Sequence, residues 1–538
     1  MPIQQLLEQK PRALASRDPS PVFLKPFTLP EHPTEPGPYL EVRSVTRGLA
    51  SMYERLRNTL DFRDEHLIRV FAIRRILKRR LTRGARAERV ALPLLQELVR
   101  SGYVPNTAIP ERSVAVYERV IEKYIQLFFF LLEASQGVAS KDLWDLVFTV
   151  AANELEDRLS PSPRRHAVAQ TLINRMREEA VLERWALHND EAEDQYVLAA
   201  YRTLFKANKE LITWQLFRRY FPDWLEAPGV ERVREVAYNV PTVRQRVDNA
   251  FRHPARDRLT RHVKPVATTL WLLEEALIEE ADVAMVLSHP SMMSEKLQAT
   301  INRYYKTASQ RLGRILRRSL LYIFLTKMAI ALLIEIPFDR FIEGSVNVLN
   351  IGFNVIVPPL LLLIFGLSVQ IPGSKNTHML QVLAERLMYE GALKLDPLKK
   401  PATQRAVLNF FFNLFYGIIY LASFGALVTL LLRFQFNILG IAIFLFFLSI
   451  VSFFGFRIRE QAQELIVIKG EERFLVFLAV LFFLPILRTG QWISQQSSKI
   501  NIFLYFFDLF IEAPLQAFLE FFDKFTGFVR EKKEDVTS

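Results

Sequence analysis

Cysteine is absent from all 538 residues. Disulfides, thiolate metal sites and cysteine nucleophiles are therefore excluded, while the redox compartment stays open. Glycine is scarce at 19 residues, about half the ~7% average, which argues against glycine-rich phosphate loops and many-turned β folds. The eight histidines show no close metal-ligand spacing. The acid pairs Glu274-Glu275 and Glu279-Glu280 lack a Glu-x-x-His partner, so no di-metal site is expected. The run Asp190, Glu191, Glu193, Asp194 lacks the glycine and terminal Glu of a calcium loop. No Walker loop, dinucleotide fingerprint or nucleophile elbow occurs. The amino-terminal MPIQQLLEQKPRALASRDPSP has no apolar h-region, so no signal peptide is expected. With no assembled catalytic set, the expectation is a protein that is not an enzyme and carries no cofactor and no metal.

What the chain has in quantity is phenylalanine, 43 residues, densest after Leu320. The organising stretch is Ser294 to Ile336. Its first half carries apolar residues at Leu297, Ile301, Tyr304, Ala308, Leu312 and Ile315, helical steps of three and four. The opposite face holds Arg303, Lys306, Arg314, Arg317 and Arg318. From Leu320 the helix is apolar all round except at Thr326, Lys327 and Glu335, and Pro337 is expected to end it. Such a segment needs an apolar solvent, and at 1.5 Å per residue it extends roughly 26 Å. One rod (293–336) is expected to leave a water-soluble region and enter a bilayer.

Further apolar segments follow at Ile351–Val369, Ala406–Leu432, Ile438–Phe456 and Phe474–Leu487, the last short for a ~30 Å hydrocarbon core. Residues 501–530 form an aromatic amphipathic segment that either spans or lies at the interface, and 531–538 a charged tail. The charges between these segments alternate. Twenty basic residues lie in 303–318, 375–405, 457–473 and 524–533, against Arg340, Arg433, Arg488 and Lys499 in the other loops. This positive-inside pattern places the helical region, the loops 371–405 and 457–473 and, with six crossings, both termini in the cytoplasm. Residues 1–300 hold 44 basic and 40 acidic side chains and the remainder 25 and 17. The surplus thus accompanies the apolar runs, as topology signals do, more than it marks a nucleic-acid footprint.

Ahead of the rod, residues 1–39 are proline-rich and are expected to be a disordered tail. Residues 40–292 read as an all-helical cytoplasmic domain, long enough for a core of its own. Breaks are expected at Ser101-Gly102, Pro105 to Pro110, Gln136-Gly137, the Ser-Pro pairs of 160–163, Pro222, Pro228-Gly229, Pro241 and His253-Pro254. Five tryptophans, Trp144, Trp185, Trp214, Trp224 and Trp271, are read as core anchors. Arg63 to Arg89 holds ten basic residues against three acids beside an apolar side at Ile68, Ala72, Ile76 and Leu77. Its face Arg74, Arg75, Lys78, Arg79 and Arg83 is a candidate for nucleic acid, ribosome or anionic lipid, with a solvated outer face as the plain alternative.

Within the apolar part, Asp508, Glu512, Gln516 and Glu520 repeat every four residues, a polar stripe opposed by phenylalanines. The stripe is either an interfacial face turned to the cytosol or a buried, pore-lining row. Lys327 is the second intramembrane charge, and Asp508 or Glu512 is its expected partner. Pro358-Pro359, with Asn354 just before, marks either a helix break lining a site or a structural kink. Gly417, Gly425, Gly440 and Gly455 suit close helix packing. Ser423 before Gly425 has no histidine in any crossing to activate it, so it is not read as a nucleophile.

Three phrases, Tyr53 to Leu81, Glu335 to Leu361 and Glu512 to Glu534, resemble segments of multi-pass bacterial membrane proteins to which no activity is assigned. The resemblance implies a bacterial inner-membrane location and carries no site residues. The fold expected is all-α: a cytoplasmic helical domain joined by a long helix to a transmembrane bundle of five or six crossings. Two functions fit it. One is a membrane-anchored scaffold whose helical domain binds a protein partner or the ribosome. The other is a transporter or channel with a charged path along the first, second and last membrane helices. Few polar groups in the crossings and no evident repeat favour the scaffold.

Overall fold

A computed structural model describes residues 21–29, 38–40, 65–81, 86–106, 108–135, 140–185, 187–226, 228–278, 280, 282–369, 372–390, 395, 397–400, 406–462 and 474–499. Among them the architecture is all helical, the one extended contact being an isolated bridge between Tyr39 and Pro110. The chain divides into two compact units.

The helical domain comprises α1 (Pro21–Phe27), α2 (Glu65–Leu81), α3 (Glu88–Arg100), α4 (Val114–Ala134), α5 (Lys141–Leu159), α6 (Pro163–Glu178), α7 (Asn189–Leu204), α8 (Lys209–Tyr220), α9 (Val230–Arg252), α10 (Ala255–Leu277) and α11 (Val283–Ser288). Local signals start several of them. Ser140 accepts the Leu143 amide at 3.4 Å and Asn208 the Leu211 amide at 2.9 Å, filling donors that a helix start leaves open. Pro163 opens α6, where its missing N–H is harmless.

Two expectations about proline are corrected. Pro241 lies inside an unbroken α9, where the stripe Val233, Val236, Ala237, Val240, Val243 and Val247 is buried. Burial of that face outweighs one lost backbone bond. Residues 21–29, expected to lack structure, contain α1, whose Phe27 is buried and which packs on α6. Arg164 ties the segment down through its Nε bond to the Leu29 carbonyl at 2.9 Å. Trp185, Trp214 and Trp224 are buried, whereas Trp144 and Trp271 are half-buried.

The deepest polar feature of this domain is Glu154, which has no exposed surface. Lys123 Nζ donates to both of its oxygens at 2.9 and 3.0 Å, Tyr124 at 2.7 Å and Trp224 Nε1 at 3.0 Å. A buried carboxylate with this many donors is satisfied rather than stranded.

Residues Leu387–Lys400 belong to this same unit, although the first two long apolar helices separate them from Ser288 in sequence. Leu398 N donates to Val181 O at 2.8 Å, Trp185 Nε1 to Leu398 O at 3.0 Å and Tyr389 Oη to Leu287 O at 2.8 Å. The segment read as part of a loop between crossings thus completes the helical domain.

The second unit contains α12 (Pro290–Ile330), α13 (Val348–Leu367), α14 (Ser374–Glu385), α15 (Ala406–Arg433), α16 (Ile438–Ala462) and α17 (Phe474–Lys499). Among the described residues, four helical stretches are long and apolar enough to cross a membrane: Pro290–Glu343, Val348–Leu367, Phe410–Arg433 and Ile438–Glu460. Their outward side chains are large and apolar, among them Leu321, Tyr322, Leu333, Phe410, Leu421 and Ile438, as an apolar solvent requires. The rod does not stop at Pro337. It continues through π-helical turns at Ala331–Glu335 and Asp339–Glu343 and ends at Gly344, whose φ of +76° is the left-handed conformation glycine tolerates. Helix α17 is also longer than its fourteen-residue apolar core, running 26 residues through Pro485.

Candidate functional site

Along α12 and its extension the buried positions Ile323, Lys327, Ala331, Glu335 and Asp339 recur every four residues. That row faces the bundle interior. Its two acids both fall in the π-helical turns. Eight residues in a regular α-helix separate side chains by two turns and roughly 80° of rotation. The wider π turn between Lys327 and Glu335 swings the carboxylate back towards the lysine's face.

Lys327 is wholly enclosed. Its Nζ donates to Asn354 Oδ1 at 2.6 Å and to Glu335 Oε1 at 3.3 Å, and it sits 4.7 Å from the centroid of the Phe447 ring. Asn354 and Glu335 are themselves 1% and 4% exposed, so three helices close over one ammonium. One flank continues as polar structure: Asn437 Nδ2 donates to Asp339 Oδ1 at 2.6 Å, and Asn437 Oδ1 accepts the Gly440 amide at 2.7 Å, capping the start of α16. Asn350 Nδ2 donates to the Gln435 carbonyl at 2.9 Å. The arrangement can hold a charge in a low-dielectric interior through a carboxylate, an amide and an aromatic face.

Asn354 reaches Lys327 because α13 buries Asn354, Pro358, Leu362 and Gly366 at four-residue intervals. Of the two readings of Pro358 and Pro359, the helix break does not occur: α13 is continuous across both. Packing by neighbouring helices tolerates the backbone groups that the prolines leave open. Close approach occurs at glycines other than most of those expected. A Cβ on Gly366 would lie 2.5 Å from Leu316 and one on Gly490 2.0 Å from the Ser449 carbonyl oxygen, whereas Gly417 and Gly425 have nothing within 4 Å. Gly455 does face a neighbour, with Phe365 Cβ 3.1 Å away, while Gly440 meets its own capping Asn437. Ser423, buried, donates to the Phe482 carbonyl at 2.8 Å and so links α15 to α17.

Asp508, Glu512 and Glu520 lie outside the described residues, as does Arg83. Glu335 and Asn354 hold Lys327 among those described. The sequence signal for them was present but weak: Glu335 is the sole acid between Glu295 and Asp339, and Asn354 is one of few amides in α13. On α2, Arg74 and Lys78 meet Asp145 at 3.2 and 3.5 Å, Arg79 and Arg80 both meet Glu97, and Arg75 is half-buried. Much of the basic face is thus engaged with acids of α3 and α5.

A second titratable cluster sits in the helical domain. His166 Nδ1 is 3.1 Å from Tyr201 Oη, and its Nε2 is 3.8 Å from Asp157 Oδ2. Asp157 also accepts from Trp214 Nε1 at 2.7 Å and lies 3.6 Å from Arg218. Burial holds His166 below the usual imidazole range, opposed by Asp157 and assisted by Arg218. Burial also raises the Tyr201 phenol, which makes it a poor nucleophile.

These features define an all-α protein with a substantial helical domain and a set of membrane-competent helices enclosing an ion pair. Comparison of the chain with protein-family models, curated proteins and solved structures finds no match in any of the three.

Proposed function

We propose that this protein is a multi-pass inner-membrane protein that acts as a membrane-anchored scaffold through its helical domain. The observation that carries the reading is the composition of that domain, built from residues on both sides of the first two apolar helices. A chain that leaves a folded unit, passes through two spanning helices and returns to the same unit has crossed twice and come back to the same side. The domain is thereby held at the membrane by a hairpin, not by one flexible tether. The excess of basic residues in the same loops supports the cytoplasm as that side. Five crossings in all follow if α17 also spans, and six if the 501–530 segment does so too.

Enclosure of Lys327 supports anchoring over transport, because an ammonium shut in by protein on every side has no water path to serve. A non-enzymatic role and a protein or ribosomal partner are part of the same proposal. Affinity purification of the full-length chain from detergent is the test: a stable soluble partner is expected. A second reading, a charged path along the first two membrane helices, is favoured by one observation, the placement of buried Glu335 and Asp339 in π-helical turns, a geometry frequent at functional sites. Ion flux or solute uptake by reconstituted protein, abolished by Lys327→Met, would replace the scaffold with that path.

A further inference from the structure

Helix α12 carries a second feature, on the face turned away from Lys327. Arg311, Arg314, Arg318, Leu321, Leu325, Met328 and Leu332 follow one another in steps of three and four, and all seven are exposed. They form one row down one helix face. Its chemistry changes once, between Arg318 and Leu321. Arg317 widens the cationic end, and no acid occurs in the sequence from residue 296 to residue 334. Helix α16 adds Arg457 and Arg459 on either side of Ile458, which belongs to the same apolar cluster as Leu316; Glu460 is the acid beside them.

The dimensions of the row are those of a phospholipid. Leu321 to Leu332 extends roughly 17 Å along the helix, close to half of a ~30 Å hydrocarbon core, and Arg311 to Arg318 adds roughly 10 Å, the depth of a headgroup layer. We propose that this face of α12 is a binding site for an anionic phospholipid. Its phosphate lies among the guanidiniums of Arg311, Arg314 and Arg318, and an acyl chain lies along Leu321, Leu325, Met328 and Leu332. Guanidinium groups match phosphate oxygens in paired hydrogen bonds, which a zwitterionic headgroup with its own ammonium partly cancels. A nucleic acid would use the arginines but has nothing to place on the apolar half of the row.

The inference rests on the membrane reading and is tested separately from it. The full-length protein, purified in a non-ionic detergent, is titrated with phosphatidylglycerol or phosphatidylcholine, and bound lipid is counted by native mass spectrometry. Phosphatidylglycerol is expected to bind at least tenfold more tightly than phosphatidylcholine. In the R311Q/R314Q/R318Q variant the ratio falls below threefold, while R258Q/R261Q, which removes two exposed arginines of α10 in the helical domain, leaves it unchanged. A measurement that needs no variant is salt: raising sodium chloride tenfold weakens phosphatidylglycerol binding at least fivefold and leaves phosphatidylcholine alone. Equal binding of the two lipids, a preference that survives the triple substitution in a normally eluting protein, or salt-independent binding would each overturn the proposal. So would displacement of the lipid by equimolar glycerol 3-phosphate, which would mark a site for a free anion, or by an RNA oligonucleotide. A protein that stays dispersed without detergent would instead sink the membrane reading, before any lipid is added.

Discussion

Removing the carboxylate from the Lys327 pair is the perturbation with the clearest expected size. At 3.3 Å and an effective dielectric constant of about 20, two unit charges attract by about 5 kcal/mol. Desolvation of both ions offsets several kcal/mol of that, so the intact pair contributes little net stability. Glu335→Gln removes the attraction and leaves the ammonium's desolvation uncompensated except by Asn354 and the Phe447 face. The expected loss is therefore about 3 kcal/mol, the lower end for a broken buried pair. Lys327→Met on its own should cost a similar amount by stranding Glu335. The double variant K327M/E335L should recover most of the loss, because neither charge is then buried. The assay is reversible unfolding of the purified protein in mixed micelles, followed by tryptophan fluorescence. Single variants that match the wild type would show that the ammonium is hydrated. A double variant as unstable as the sum of the singles would show that Lys327 and Glu335 do not act as a pair.

Gly490→Ala should destabilise the membrane unit by about 1–3 kcal/mol, because the new methyl meets the Ser449 backbone oxygen rather than a side chain that can turn aside. Gly417→Ala, with nothing within 4 Å, should be neutral or stabilising by up to about 1 kcal/mol; the same unfolding assay compares the two. In the helical domain Lys123→Met should cost about 3 kcal/mol by leaving the Glu154 carboxylate without its main counter-ion, read as a lower melting temperature. His166 and His253 are both held below the usual imidazole range by burial. Their neutral forms therefore contribute stability that is complete above the unfolded value of about 6.5 and is lost as pH falls from there towards the folded values. The melting temperature should drop between about pH 7 and pH 5, and H166Q/H253Q should flatten that slope. Asp257, held down to about 2 by Arg256 and Arg202, acts only at lower pH and leaves this window clear.

Helix location was largely written in the chain itself. Apolar spacing along α12 and the all-round apolar runs of α13, α15 and α16 set where helices form and which of them need lipid, because both properties depend on residues a few positions apart. Lys327 stood out for the same reason, as a charge inside an apolar run. Proline was the least reliable local signal. Pro241, Pro337, Pro358, Pro359 and Pro485 all lie within continuing helices, since packing against neighbours outweighs a single missing backbone bond.

Tertiary structure alone decided the partners. Glu335 meets Lys327 only because a π turn rotates it there, and Asn354 only because α13 buries that face against α12. The arginines of α2 found Asp145 and Glu97 on two other helices, and Leu398 found Val181 with two long apolar helices between them in sequence. Periodicity reports which face of a helix is buried. It carries no information about what stands opposite, because that depends on how separate helices cross.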